Sequence, residues 1–231
     1  DIDIDKIPNF IRKMDDPIFS FAKSIIDATS KYCIAFKPNI AFYETYGADG
    51  WRALEKTIYY IKSEYPDIFT IADAKRCDIH NTSQRYAKAY FEHLNFDSIT
   101  ISPYMGEDSV EPFLKYKDKH TILLVLTSNS GAKDFQLNQC NDKKLFHQVI
   151  ESSIKWQNSK QLMYVVGANH TDLISNIREI VPDHFLLIPG VGAQGGNLRE
   201  ISQVAMNDKC GIIVNSSRSI IYSSSGKDFD K

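Results

Sequence analysis

Seven short apolar runs, each followed by a helical pattern or a polar loop, constrain this chain more than any other feature. The runs are Tyr32–Ile40, Ile68–Ala72 with its charged continuation, Ser98–Tyr104, Thr121–Ser128, Leu162–Ala168, His184–Gly192 and Gly211–Ser217. Between them apolar residues recur at helical spacing. Ile18, Ala22, Ile25 and Ile26 predict a helix over 17–30, and Trp51, Leu54, Ile58 and Ile61 a second ending near Pro66. Asn81, Thr82 and Ser83 are good N-caps for a helix to about Leu94. Further helices are expected at 109–117, at 143–158, around Leu173–Val181 and around Leu198–Ala205. The polar stretch Asn129–Asp142 reads as a long mobile loop. Continuous apolar strands joined by helical crossovers argue for a parallel sheet buried on both faces. No G-x-G-x-x-G follows the first run, so the expected fold is the α/β TIM (β/α)8 barrel rather than an open dinucleotide sheet. Its missing strand 1 is expected upstream of Asp1. Residues 1–231 then read as one barrel domain truncated at both ends, with no closing helix after the last strand.

Ile71-Ala-Asp73-Ala-Lys75-Arg-Cys-Asp78-Ile79 breaks the apolar pattern. A buried or half-buried Asp–Lys–Asp array costs on the order of several kcal/mol unless each charge is paired. Such an array is either an ion pair closing a strand or a place where chemistry is done. If the strand stays extended, Asp73 and Lys75 point to one side. Barrel function gathers at the C-terminal ends of strands. Those ends carry Lys37, Asp73/Lys75/Asp78, Ser102, Thr127/Ser128, Pro189–Gly196 and Asn215-Ser-Ser-Arg218. The run Pro189-Gly-Val-Gly-Ala-Gln194-Gly195-Gly, followed by a helix and matched by Arg218 one strand later, has the chemistry of a phosphate site.

Other classes find little support. With 27 basic and 29 acidic side chains the net charge is −2, which gives no global field for nucleic acid. No apolar run approaches membrane-spanning length. Four scattered cysteines and six histidines lack metal-ligand spacing, so neither zinc nor a disulfide framework is expected. A reducing, cytoplasmic setting is the default.

The motifs together carry a resemblance. Asp73-Ala-Lys75-Arg-Cys-Asp78-Ile79 matches D-x-K-x-x-D-I, and Ala35-Phe-Lys37-Pro-Asn, Ser102-Pro-Tyr, Thr127-Ser128-Asn, the Pro189 run and Asn215-Ser-Ser217-Arg218 follow in order. This set resembles orotidine 5′-phosphate decarboxylase, in its type 2, longer-looped bacterial branch. Asp1-Ile-Asp-Ile-Asp-Lys-Ile-Pro resembles the family's segment after strand 1, with Ile2 in place of the usual Pro. Cys77 and His80 stand where the family usually has Gly.

The resemblance implies conversion of orotidine 5′-phosphate to UMP and CO2 with neither metal nor organic cofactor. It implies that Lys75 protonates C6, that Asp73 orients Lys75 and crowds the departing carboxylate, and that Lys37 neutralises the array and touches the ribose. Asp1 would contact the ribose and Ser128 the pyrimidine edge. Pro189, Gln194, Gly195, Ser217 and Arg218 would form the phosphate side. Asp78, Ile79 and Thr82 would reach a neighbouring subunit's site, which implies a homodimer. The competing expectations are a Mg2+-dependent sugar-phosphate lyase on the same barrel, in which the carboxylates hold metal, and a non-catalytic phosphate-binding barrel.

Overall fold

Pro17 and Asp16 start the first long helix, because proline needs no N–H partner there and Asp16 accepts from the Phe19 N–H at 3.2 Å. A computed structural model describes residues 1–191 and 196–230. The single turn α1 (Asn9–Arg12) precedes this helix, α2 (Pro17–Thr29), which buries Ile18, Phe21, Ala22 and Ile26 along the expected stripe. The strand expected over Tyr32–Ile40 shrinks to β1 (Ala35–Phe36). Tyr32 ends a 3-10 turn, and Ile40 opens α3 (Ile40–Glu44), capped by the Asn39 side chain on the Ala41 N–H. Pro38 explains the short ladder: it has no N–H to offer, though its carbonyl accepts from the Asp73 N–H at 3.1 Å.

In α4 (Gly47–Glu64) Leu54, Ile58 and Ile61 are buried as expected, whereas Trp51 is 37% exposed. β2 (Phe69–Arg76) pairs parallel with β1, Ala35 opposite Phe69. α5 (His80–Ala87) begins at His80, ahead of the expected caps. Ser83 is buried and donates to the Asp78 carbonyl at 2.7 Å rather than ending a loop. The helix reaches His93, close to the expected end, but its last six residues, Lys88–His93, are wound as a π-helix.

β3 (Ser98–Ile101), α6 (Glu107–Leu114) and β4 (His120–Leu126) follow. The stretch Asn129–Asp142 holds more structure than its polarity suggests. It forms α7 (Ala132–Phe135) and, with Lys143–Lys144, the antiparallel ribbon β5 (Gln139–Cys140) and β6 (Lys143–Lys144). Asn141, at φ +57°, makes the tight turn possible. The chain continues through α8 (Leu145–Ser153), β7 (Leu162–Val166), α9 (Thr171–Ile180), β8 (Leu186–Pro189), α10 (Leu198–Ala205) and β9 (Ile212–Asn215). A one-turn helix, α11 (Arg218–Ile221), follows the last strand, where no helix was expected.

Among the described residues the larger sheet has the order β1-β2-β3-β4-β7-β8-β9. Neighbours in space are successive along the chain, and the crossovers are helical, which is the topology of a (β/α)8 barrel, seven strands of which lie among the described residues.

The chain divides into two compact units. One comprises Asp1–Ala74, Lys88–Ile99 and Ser217–Lys231. Its apolar interior includes Ile11, Phe21, Leu54, Ile58, Ile61, Ile71 and Phe96, and Phe229 stacks on Phe21 at 5.3 Å between ring centres. Within it the Asp97 carboxylate accepts from both the N–H and the hydroxyl of Thr70, at 2.8 Å each, and pairs with Lys62. The other unit comprises Lys75–Ala87 and Thr100–Ser216. Here β4, β7 and β8 supply a buried core of Ile122, Leu123, Tyr164, Val166, Leu186 and Ile188.

Candidate active-site residues

In the first unit the Lys37 Nζ lies 2.7 Å from Asp73 Oδ2, with the two side chains only 13% and 10% exposed. Backbone geometry makes this pair. Pro38 O accepts from Asp73 N, and Asn39 bridges Asp73 in parallel, so pairing resumes beyond the short β1 and sets the two side chains side by side. Two charges this enclosed are kept at a desolvation cost of several kcal/mol, repaid only by close pairing.

Asp1 and Arg218 form the second grouping of that unit, with Arg218 Nε 4.0 Å from Asp1 Oδ2. The Tyr222 hydroxyl donates to the Asp1 carbonyl and accepts from the Asp3 N–H, both at 2.7 Å, while Tyr46 accepts from the Ile4 N–H at 3.0 Å. The opening segment is thereby tied to the turn carrying Arg218. Ser217 precedes that turn, and Arg218 itself is 65% exposed.

In the second unit Lys75 is exposed and its backbone stands at φ +47°. That left-handed conformation costs an L-residue roughly 1 kcal/mol and recurs at functional positions. Its N–H is held by Thr100 Oγ1 at 2.9 Å. The alternation of an extended strand therefore stops at Lys75, and a pleat argument does not fix its side-chain direction. Asp78 lies in the loop after β2, its carboxylate accepting from the Ile79 N–H at 2.7 Å. Ile79 is 60% exposed, and Thr82, half-buried, sits in the first turn of α5. His80 faces Glu111 at 3.6 Å.

Ser128 sits just past β4 in a tightly held turn. Asn169 Nδ2 donates to the Ser128 carbonyl at 3.1 Å, and His170 Nε2 lies 3.0 Å from the Thr127 carbonyl. A Cβ at Gly167 would fall 2.8 Å from Ser128 N and Cα, so only glycine lets the two strand ends approach this closely. Among the described residues no protein group bonds the Ser128 N–H or hydroxyl. One donor and one donor–acceptor are thus available side by side, as an amide-like ring edge requires. Nothing in the sequence marks Asn169 and His170, which lie three and four residues past the end of β7. Pro189 ends β8, its carbonyl taking the Ala168 N–H at 3.0 Å. Gly190 follows at φ +93°, a conformation that favours glycine. Gln194 and Gly195 lie outside the described residues. Among the described residues no three His, Cys, Asp or Glu side chains cluster as metal ligands.

Residues 8–228 match the family described as Orotidine 5'-phosphate decarboxylase / HUMPS. A protein of Christiangramia forsetii named orotidine 5'-phosphate decarboxylase is 60% identical over 229 residues, covering 99% of this chain and 84% of that protein. The protein of the same name from Flavobacterium johnsoniae is 59% identical over the same shares. Among solved structures, OMP decarboxylase of Leishmania donovani superposes with a TM-score of 0.83 at 34% identity, over 92% of this chain and 83% of that one. The orotidine 5'-monophosphate decarboxylase of Plasmodium berghei gives 0.80 at 28% identity, over 98% and 73%.

Proposed function

The chain belongs to the orotidine 5′-phosphate decarboxylase family, and from that premise we propose that it converts orotidine 5′-phosphate to UMP and CO2 in pyrimidine biosynthesis. The observation that carries the reading is the enclosed Lys37–Asp73 pair at the head of an intact Asp73-Ala-Lys75-Arg-Cys-Asp78-Ile79 motif. Breaking the bond from C6 to the carboxyl carbon leaves an electron pair on C6 with no adjacent sink. Fixed charges must stabilise it where it forms. In this reading the Lys75 ammonium faces the developing charge and gives its proton to C6. Asp73 orients Lys75 and crowds the departing carboxylate, and Lys37 balances the array and touches the ribose. Asp1 contacts the ribose, and Ser128 offers its N–H and hydroxyl to the pyrimidine edge. Arg218, Gln194 and the N–H groups of Gly195 and Ser217 take the phosphate, with Pro189 opening the loop beside it, and the binding energy contributes to the transition state.

The chain acts as one decarboxylase domain without metal or organic cofactor, in the cytoplasm. No helix among the described residues is long and apolar enough to cross a membrane. It works as a homodimer in which Asp78, Ile79 and Thr82 serve the neighbour's site, a role that suits an isoleucine left 60% exposed.

The decisive experiment follows the ultraviolet absorbance of orotidine 5′-phosphate. Wild-type protein consumes it, and Lys75→Ala lowers kcat at least a thousandfold, roughly what removing both proton transfer and local charge should do, with its circular dichroism unchanged. Full activity in Lys75→Ala refutes the proton-donor role. Loss of wild-type activity in excess EDTA, restored by Mg2+, would favour the metal-dependent lyase instead. The shared site has its own check: inactive Lys75→Ala and Asp78→Ala subunits, mixed into verified heterodimers, should regain part of the wild-type rate. No recovery counts against it.

A further inference from the structure

The segment between β4 and α8 reaches back to the Ser128 turn through a single side chain. Gln136, directly after α7, accepts from the Thr127 N–H through Oε1 at 2.7 Å and donates from Nε2 to Thr127 Oγ1 at 2.9 Å. The Thr127 hydroxyl passes its own proton to Asn129 Oδ1 at 2.6 Å. The side-chain amide is therefore used at both ends on one residue, and swapping its oxygen and nitrogen would set a donor against the Thr127 N–H.

Gln136 is itself fixed from behind. Its N–H is bonded to Ala132 O at 2.8 Å, and its carbonyl accepts at 3.1 Å from the N–H of Phe146, a residue 1% exposed. The ribbon β5–β6 returns the chain so that Leu145 N–H meets Asn138 O at 2.9 Å. With Gln136 on the Thr127 N–H, His170 on the Thr127 carbonyl and Asn169 on the Ser128 carbonyl, three of the four backbone polar groups of this dipeptide are held by side chains. The group left over is the Ser128 N–H.

We infer that Gln136 is a positioning residue for base recognition, and that the α7/β5–β6 segment serves to present it. It touches no substrate atom. It sets the direction of the Ser128 N–H and hydroxyl by fixing the peptide before them, so its loss weakens contacts to the pyrimidine and leaves those to the ribose and phosphate alone. This rests on the decarboxylase reading, in which Ser128 faces the base.

The test measures competitive inhibition by UMP and by ribose 5-phosphate, which lacks the base, in wild type, Gln136→Leu and Gln136→Glu. Leu fills similar space and makes neither bond. Glu keeps an acceptor for the Thr127 N–H and can take the Thr127 hydroxyl proton on its second oxygen. Gln136→Leu should bind UMP about tenfold more weakly, the scale of one or two hydrogen bonds, and ribose 5-phosphate as wild type does. Gln136→Glu should recover most of the UMP affinity. Unchanged UMP affinity in Gln136→Leu overturns the inference, as does an equal loss for both inhibitors, which would mark a merely structural role. If Gln136→Leu does not fold, Gln136→Glu and Thr127→Val decide. The first should remain close to wild type and the second, keeping the N–H bond but losing the hydroxyl, should weaken UMP alone. A wild-type protein that binds neither UMP nor orotidine 5′-phosphate refutes the decarboxylase reading rather than this one.

Discussion

His184 shows how a single enclosed atom sets a pH response. Its Nε2 lies 3.2 Å from the Ser159 carbonyl and donates to it, while Nδ1 is buried without a partner among the described residues. A second proton would have to sit on that enclosed nitrogen, so burial pushes the imidazole below its ordinary 6.5. The unfolded chain then takes up the proton first, near pH 6.5. Stability from the neutral ring is fully present above that value and is lost as pH falls towards the depressed native one. Urea midpoints should therefore drop between pH 7.5 and 5.5, and His184→Gln should reduce the drop. It should not remove the drop entirely, because His147 is also depressed, by burial and by Lys144. At this scale the sequence announced Lys37, Asp73, Lys75 and Asp78, since charge at the end of an apolar run needs a reason. It could not announce the left-handed backbone of Lys75, because lysine has no preference for it. Nor could it announce Gln136, Asn169 or His170, whose partners are backbone groups of another element.

Among the elements, α9 is secured through Arg178. Its guanidinium donates to the carbonyls of Ala205, Val181, Pro182, His184 and Gly211 at 2.7 to 3.2 Å, joining the ends of α9 and α10 to the approaches of β8 and β9. No other side chain carries five donors in a flat fork. Arg178→Met should cost about 3 kcal/mol in urea unfolding, since several carbonyls lose a charged donor together. Arg178→Lys should restore only part, as an ammonium cannot span the set. The helices were legible because the 3.6-residue period is a property of the side chains themselves. Strand ends were less so. Apolar character runs on past the ladder at Tyr32–Ile40, where Pro38 interrupts the pairing, and at Ser98–Tyr104, where the strand stops at Ile101. The ribbon β5–β6 was read as loop because two residues per strand are too few to display alternation.

For the molecule as a whole, topology was the most legible property, because seven apolar runs with helical crossovers leave few arrangements. Its closure was not. Tyr222 bonds to Asp3 across 219 positions, and Phe229 stacks on Phe21, contacts that no local pattern encodes. Charge is nearly balanced at −2, so an anionic substrate is drawn by individual cations rather than by a general field.

That balance gives the enclosed Lys37–Asp73 pair a further meaning in terms of ionic strength. Mobile ions cannot come between two side chains 13% and 10% exposed, whereas Arg218, at 65%, stands in the electrolyte. Between about 0.05 and 0.5 M KCl the screening length shrinks roughly threefold. KM for orotidine 5′-phosphate should rise several-fold across that range, while kcat stays within about a factor of two. A kcat that fell as KM rose would mean that salt reaches the reacting charges. The Lys37–Asp73 pair is thus insulated from an ionic environment to which substrate capture remains exposed.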